Sequence, residues 1–375
     1  MTKLTLLLIS MTTLMANVAI IAMLPHLKDY FKNVENIEFL SKLMITLPSL
    51  SIALLAPFLG HLIHKIGKKK SAIFALTLFG VFGSAGLYLE TIELLLLSRS
   101  LLGIAIATLM IVATSLVGDY FKGEERHKFM GIQSAFVSFG GVFFVLGGGI
   151  LADINWRYPF GIYLIGFILA PFVMKFLKNT TTYVEEEMQE HLSSNLFGIY
   201  FLAFLLMLFF YILPTQMPFL VINKFGASGT MTGAIISLAF LANGLGGLSF
   251  RKLKIKFTFG EIYLLGMLII SVGFIAMGSV TNVIYFFLTS FIMGFGGGIL
   301  ITNMSVWMLH YAHHTKRIKS SGYLTSSLFL GQFFSPIVFQ PIIMYFGIQH
   351  FFTVMGLFLL TFVGIIFLKQ VVLKR

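Results

Sequence analysis

Arg99, in the stretch LLSRSLLGIAIA, is a lone charge inside an otherwise apolar run. It sits about eight residues into that run, or roughly 12 Å along a helix. A charge that deep is expensive in hydrocarbon and must find a cavity, a partner or the interface. It could order water, a proton or a substrate in a cavity, or it could snorkel outward and anchor its helix. A carboxylate at the same depth would neutralise it, but the 14 acidic residues all fall between apolar runs or at their ends. The expected partners are therefore the neutral groups Asn17 and Gln133, or an anionic part of a ligand.

Other polar residues interrupt apolar runs: Asn17, Gln133, Ser138, Tyr211, Gln216, Asn243, Asn303, Gln332 and Gln340. Each suits interhelical hydrogen bonding or contact with a bound molecule, and together they predict a weakly polar pocket. The abundant Met and Phe side chains would let such a pocket repack around diverse amphipathic molecules, though most face lipid or neighbouring helices. All nine histidines lie at run ends or in connections. His26 is the one candidate proton site among them, weighed against an ordinary interfacial histidine. His310, His313 and His314 sit in HYAHHTKRIKS with no acidic or thiol companion, so no metal is expected. The chain has no cysteine, which excludes disulfides and thiol nucleophiles. The glycines of GFGGG, Gly294 to Gly298, would need a preceding strand to cradle a dinucleotide, so no cofactor is expected.

The elements that carry these residues follow from composition. Of 375 residues, 58% are hydrophobic and 11% charged, and mean hydropathy is +0.94. That excludes a water-soluble surface. A helix needs about 20 apolar residues to cross a bilayer, and only helices or closed barrels satisfy their backbone there. Twelve continuous runs are legible, near 5–26, 43–63, 71–89, 92–118, 129–152, 157–177, 195–221, 229–250, 258–279, 282–308, 321–346 and 349–368. An all-α polytopic membrane protein with twelve spans is the expected fold. The first run is long enough to span and no A-x-A site follows it, so it is read as a retained helix rather than a signal peptide.

The net charge of +12 would suggest nucleic acid in a soluble protein, but here it bears on topology. With both termini in the cytoplasm, twenty basic residues fall in inner segments and five, including Lys42, in outer ones. The densest inner segment is GHLIHKIGKKK, Gly60 to Lys70. The only long polar stretch, KNTTTYVEEEMQEHLSSN, divides the chain six plus six: a first bundle over 1–177, a cytoplasmic loop over 178–194 and a second bundle over 195–375. The halves echo each other. Pro25 ends the first run and Pro214 and Pro218 the seventh; Gly60 opens one basic connection and Gly247 another, GLSFRKLKIKF.

Four motifs in order carry a family resemblance. Gly60, Leu62, Lys65, Gly67, Lys68 and Lys69 match a G-x-L-A-D-[RK]-x-G-[RK]-[RK] pattern, with His64 where Asp is usual. Arg99 and Gly103 match R-x-x-x-G, followed by GDYFKGEERHKFMG with Asp119, Arg126 and Gly131. Gly148, Gly149 and Leu151 partly match G-P-x-x-G-G-x-L, with Phe144 and Val145 replacing the Gly-Pro pair. ADINWRYPF resembles A-D-x-x-W-R-x-x-F, and GQFFSPIVFQP lies in the eleventh run. Nearly the whole chain resembles the major facilitator superfamily, in its twelve-helix bacterial efflux branch.

The resemblance implies two pseudo-symmetric six-helix bundles that export small organic molecules, drugs or a metabolite, across a bacterial cytoplasmic membrane by rocker-switch alternating access. It implies Gly103, Gly148 and Gly149 as packing positions and Gly60, His64, Lys65, Gly67, Lys68, Lys69, Asp119 and Arg126 as a gate. In proton-coupled relatives such an arginine works beside an embedded carboxylate; its absence here weakens the drug/proton antiport mechanism, so protons stand only as a candidate partner. Uptake or facilitated diffusion of an anionic metabolite is the alternative within transport. A membrane enzyme or sensor finds no nucleophile, metal cluster or extramembrane module to support it. The other expected partners are the lipid bilayer and a small-molecule substrate, with a monomeric chain and no nucleic acid. An Asp in place of His64 would face the positive end of the helix beginning near Ser320. His64 supplies no such attraction, which predicts a looser gate, tightened by Asp119, and an inward-open rest state.

Overall fold

The computed structural model describes residues 1–178, 194–313 and 317–373. The described residues are helical throughout, with short connections, and cluster into two compact units, Met1–Ser193 and Ser194–Arg375. Eleven helical stretches among them are long and apolar enough to cross a membrane.

In the first unit α1 (Thr2–Val18) is followed by a 3₁₀ turn at Ile21–Met23 and the short α2 (Leu24–Tyr30). The single first span expected over 5–26 is thus broken. Pro25 has no N–H to give the preceding turn and its ring crowds the carbonyl behind it, so the chain restarts as a new helix at that point. At 17 residues α1 alone falls short of the about 20 that a bilayer core requires. Next come α3 (Ile37–Ile66), α4 (Lys68–Gly83), α5 (Ile92–Tyr120), α6 (Gly123–Ile154) and, after a 3₁₀ stretch at Tyr158–Leu164, α7 (Ile165–Phe176).

The connection between α3 and α4 is one residue, Gly67, at φ 92° and ψ 140°. Only glycine adopts that conformation without strain, which explains the second motif glycine. Gly60 does not open the connection as expected. It lies inside α3 with open space around it.

The second unit begins with α8 (Ser194–Phe210) and α9 (Ile212–Pro218), and continues as a π-helical stretch over Phe219–Lys224. Pro214 and Pro218 withhold two backbone donors in this run, which breaks at Tyr211 and turns π-helical after Pro218. The rest comprises α10 (Gly229–Lys256), α11 (Phe259–Gly278), α12 (Tyr285–Tyr311), α13 (Arg317–Phe346) and α14 (Ile348–Leu373). Gly247, expected to open a connection, is likewise inside a helix, and α10 runs nine residues further before Thr258 caps α11. Thr258 and Glu261 form a reciprocal capping box that fixes this turn.

Small residues set the helix spacing. A Cβ on Gly298 of α12 would collide with the Asn243 carbonyl of α10, and one on Gly148 of α6 with the Ala19 carbonyl. Gly103 meets Pro48 and Ser51 of α3 in the same way, and Gly149 is buried. Gly298→Ala is therefore expected to push α10 and α12 apart and cost about 1–3 kcal/mol. Gly60→Ala has room and should stabilise by about 0.5–1 kcal/mol, the ordinary gain of replacing a helical glycine. Thermal unfolding midpoints of the two purified variants should move in opposite directions.

Candidate functional site

Arg99 is wholly buried in the first unit. Its Nη2 donates to the carbonyls of Phe82 at 2.9 Å and Gly83 at 2.6 Å, in the last turn of α4. Those carbonyls lie at the end of α4, just before a 3₁₀ turn at Ser84–Leu87, and carry the negative end of the helix dipole. The guanidinium lies 5.0 Å from the ring centres of both Phe160 and Tyr163. Two π faces and two carbonyls offset part of this charge, while the buried Nε and Nη1 have no hydrogen bond. Neither expected neutral partner is among these groups. Gln133 instead donates to Ser10 Oγ at 2.6 Å, joining α6 to α1, and Asn17 is buried with its Oδ1 unbonded.

Arg157, from the ADINWRYPF motif, acts on the segment just beyond. Its Nη1 donates to the carbonyls of Gly86 at 2.8 Å and Leu89 at 2.7 Å, and the guanidinium stacks 4.4 Å from Trp156. Two motif arginines thus hold carbonyls at the end of α4 and in the segment that follows it, one arginine buried and one near the surface. Nothing in their letters signals this, because the acceptors are backbone.

At the opposite end of α4, Lys68 donates to Asp119 at 2.7 Å, its side chain 5% exposed. The pair ties the α3–α4 turn to the end of α5, and Arg126 lies beside Gly118. His64 and Lys65 are exposed and Lys69 is half-buried. Asp119→Asn would leave Lys68 without its counterion and is expected to cost about 1–3 kcal/mol. A thermal-unfolding double-mutant cycle with Lys68→Met should show coupling of that order.

One charged cluster escaped sequence reasoning. Lys42, counted with an outer connection, is fully buried in α3 and pairs at 2.9 Å with Glu38, which also accepts from Lys28 at 3.3 Å. The i, i+4 spacing in IEFLSKLM was the available signal.

The second-unit candidates divide by environment. Asn303 is buried and donates to the Phe259 carbonyl at 3.0 Å, and Gln332 donates to Met207 Sδ at 3.7 Å. Both therefore hold helices together. Asn243 and Gln340 are half-buried, Tyr211 is buried, and Ser138 of the first unit bonds the Ser134 carbonyl within its own helix. Gln216 differs from all of these. It lies on α9 between Pro214 and Pro218 with no exposure, and neither its amide nitrogen nor its oxygen has a hydrogen bond. A buried polar atom left unsatisfied costs about 1–3 kcal/mol, which makes an amide open at both ends a candidate contact for a bound molecule.

His310 packs against Phe259 and Tyr311, His313 is exposed and His314 lies outside the described residues. Among the described residues no group of three or more His, Cys, Asp or Glu could hold a metal. The His26 ring keeps an unbonded, buried Nε2.

Residues 6–259 and, overlapping them, 199–372 match the sequence profile of the Major Facilitator Superfamily. The chain belongs to this superfamily. It is a multi-pass membrane protein. Among superfamily members it is similar to the quinolone resistance protein NorA of Staphylococcus aureus (strain MRSA252), 28% identical over 166 residues covering 42% of each chain. It is also similar to multidrug resistance protein 1 of Bacillus subtilis (strain 168), 28% identical over 240 residues and 59% of each chain. The matched region thus spans 42% of the length of the first relative. The superfamily fold extends over the whole chain. A bacterial homologue of the human lysosomal transporter Spinster, inward-facing and occupied, superposes with a TM-score of 0.79 at 17% identity, covering 98% of this chain and 96% of the other. A D-xylose–proton symporter gives 0.74 at 13% identity, with 95% and 96% covered.

Proposed function

We propose that this superfamily member exports small organic molecules across the bacterial cytoplasmic membrane, two six-helix halves rocking around a central site with both termini inside. The observation that carries the reading is Gln216, a buried amide with open donor and acceptor on a proline-broken helix. Such an amide recognises a solute that both offers and accepts hydrogen bonds. The similarity to a quinolone resistance protein suggests the chemical class, since a fluoroquinolone carries a carboxylate, a keto oxygen and an amine. The chain's abundant Met and Phe residues would favour planar amphipathic solutes. Arg99 has its Nη2 committed to two carbonyls between two rings, and its buried Nε and Nη1 are open, which keeps an anionic solute as the second reading.

Cells carrying the protein should retain less norfloxacin than cells without it, and an untargeted comparison of retained solutes would name any endogenous cargo. Equal retention across the whole comparison would remove the export reading. Coupling to protons is the candidate drive, and a pH gradient imposed on vesicles should accelerate export.

His64 stands where the superfamily pattern has Asp. A carboxylate there would favour the closed cytoplasmic side, so His64→Asp is expected to move the resting population from inward-open toward outward-open. Labelling of single cysteines introduced on either side of the membrane would register the shift, and unchanged labelling would remove this role for position 64.

A further inference from the structure

From Ser194 onward the sequence holds one acidic residue, Glu261, against eleven Lys and Arg. Glu261 is already committed, accepting from the Thr258 N–H at 2.9 Å and hydroxyl at 3.0 Å in the cap of α11. The first unit answers its basic turn with Asp119 and answers Lys3 with Glu125. Arg251, Lys252 and Lys256, at the end of α10, form no ion pair among the described residues. All three are exposed.

Their place on the helix indicates what they face. Leu241, Leu245, Leu248, Lys252 and Ile255 follow one another at three- and four-residue steps, which puts them on one face. The apolar members are exposed, Leu248 at 77% and Ile255 at 80%, as the side chains of a membrane helix that meet lipid are. Lys252 interrupts that stripe in its last turns and Lys256 lies one turn beyond it. Long basic stems lie along apolar surface and carry their charge up to the headgroup level. Lys254 points elsewhere, its ammonium 4.3 Å from the Phe259 ring, which stacks on Trp307 at 5.8 Å. The aromatic pair marks the same interfacial level.

We propose that the lipid-facing end of α10 is a binding site for the phosphate of an anionic phospholipid, with Lys252 and Lys256 as its cations and Arg251 at its edge. The one acidic side chain of this unit, Glu261, is committed to the cap of α11, and charge complementarity at the membrane surface selects an anionic lipid. On the topology proposed above, that lipid belongs to the inner leaflet.

Native mass spectrometry of the full chain, released from mixed phosphatidylglycerol and phosphatidylcholine, tests this directly. Wild-type protein should retain phosphatidylglycerol over phosphatidylcholine by about tenfold, and K252Q/K256Q should bring the ratio to within about twofold. K252M/K256M, which keeps apolar stems, should do the same and serves if the first variant folds poorly. K32Q/K224Q removes equal charge elsewhere and should leave the preference intact. A preference that survives both α10 variants would overturn the site. So would displacement of the lipid by millimolar inorganic phosphate, which would make it a free-anion site. A wild-type preference that emerges only after Glu185, Glu186, Glu187 and Glu190 are changed to Gln would make the chain's own acidic stretch the occupant.

Discussion

Arg99→Ala is expected to lower stability by about 2–4 kcal/mol, the balance of two lost charge-assisted hydrogen bonds and a void against the relieved burial of a cation. The truncation removes a charged donor from the carbonyls of Phe82 and Gly83 at the end of α4 and empties the space between Phe160 and Tyr163. Arg99→Lys keeps the charge and a donor but loses the planar fork that lies between rings while reaching two carbonyls. It should recover part of the loss. The thermal unfolding midpoint in detergent reads both variants. If Arg99→Ala keeps the parent's midpoint and folded yield while transport falls, Arg99 acts on the solute or proton rather than as a clamp. If transport also stays at the parent level, Arg99 has no part in handling either.

Gln216→Leu is expected to do the opposite, leaving stability unchanged or slightly raised while transport of the recognised solute falls by about ten- to a hundredfold. Replacing a buried amide that has no hydrogen bonds with an apolar side chain of similar size removes a desolvation cost without breaking an interaction. A structural amide such as Gln133, which joins α6 to α1 through Ser10, should instead lose stability under the same change. The contrast between these two glutamines is a sharper test than either alone. A fall in midpoint at Gln216→Leu without a change in transport would assign Gln216 to packing.

Those glutamines also show where sequence reading stops. Both interrupt apolar runs, and no local pattern separates the one bonded to Ser10 from the one bonded to nothing. The long helices were legible because continuous apolar runs leave the backbone no other option in a membrane. The motif turn was legible through Gly67, whose positive φ needs a glycine. Helix ends were less so. Lys42 was assigned to a connection because hydropathy falls at charged residues, yet α3 begins at Ile37, since Glu38 and Lys42 pair along the helix and let it continue. The basic residues after Gly60 and Gly247 mimic connections for a similar reason, although each glycine lies inside a helix that continues into them. Arg99 was matched with side chains when its acceptors were carbonyls, which every residue has and no letter reports.

If this superfamily member moves an organic solute across the membrane through a site that includes Gln216, norfloxacin flux in proteoliposomes under an imposed pH gradient should saturate with concentration, exceed that of protein-free vesicles and be lost in Gln216→Leu protein at matched folded amounts. Flux equal to protein-free vesicles, both for norfloxacin and for every solute that cells expressing the protein fail to retain, would contradict it.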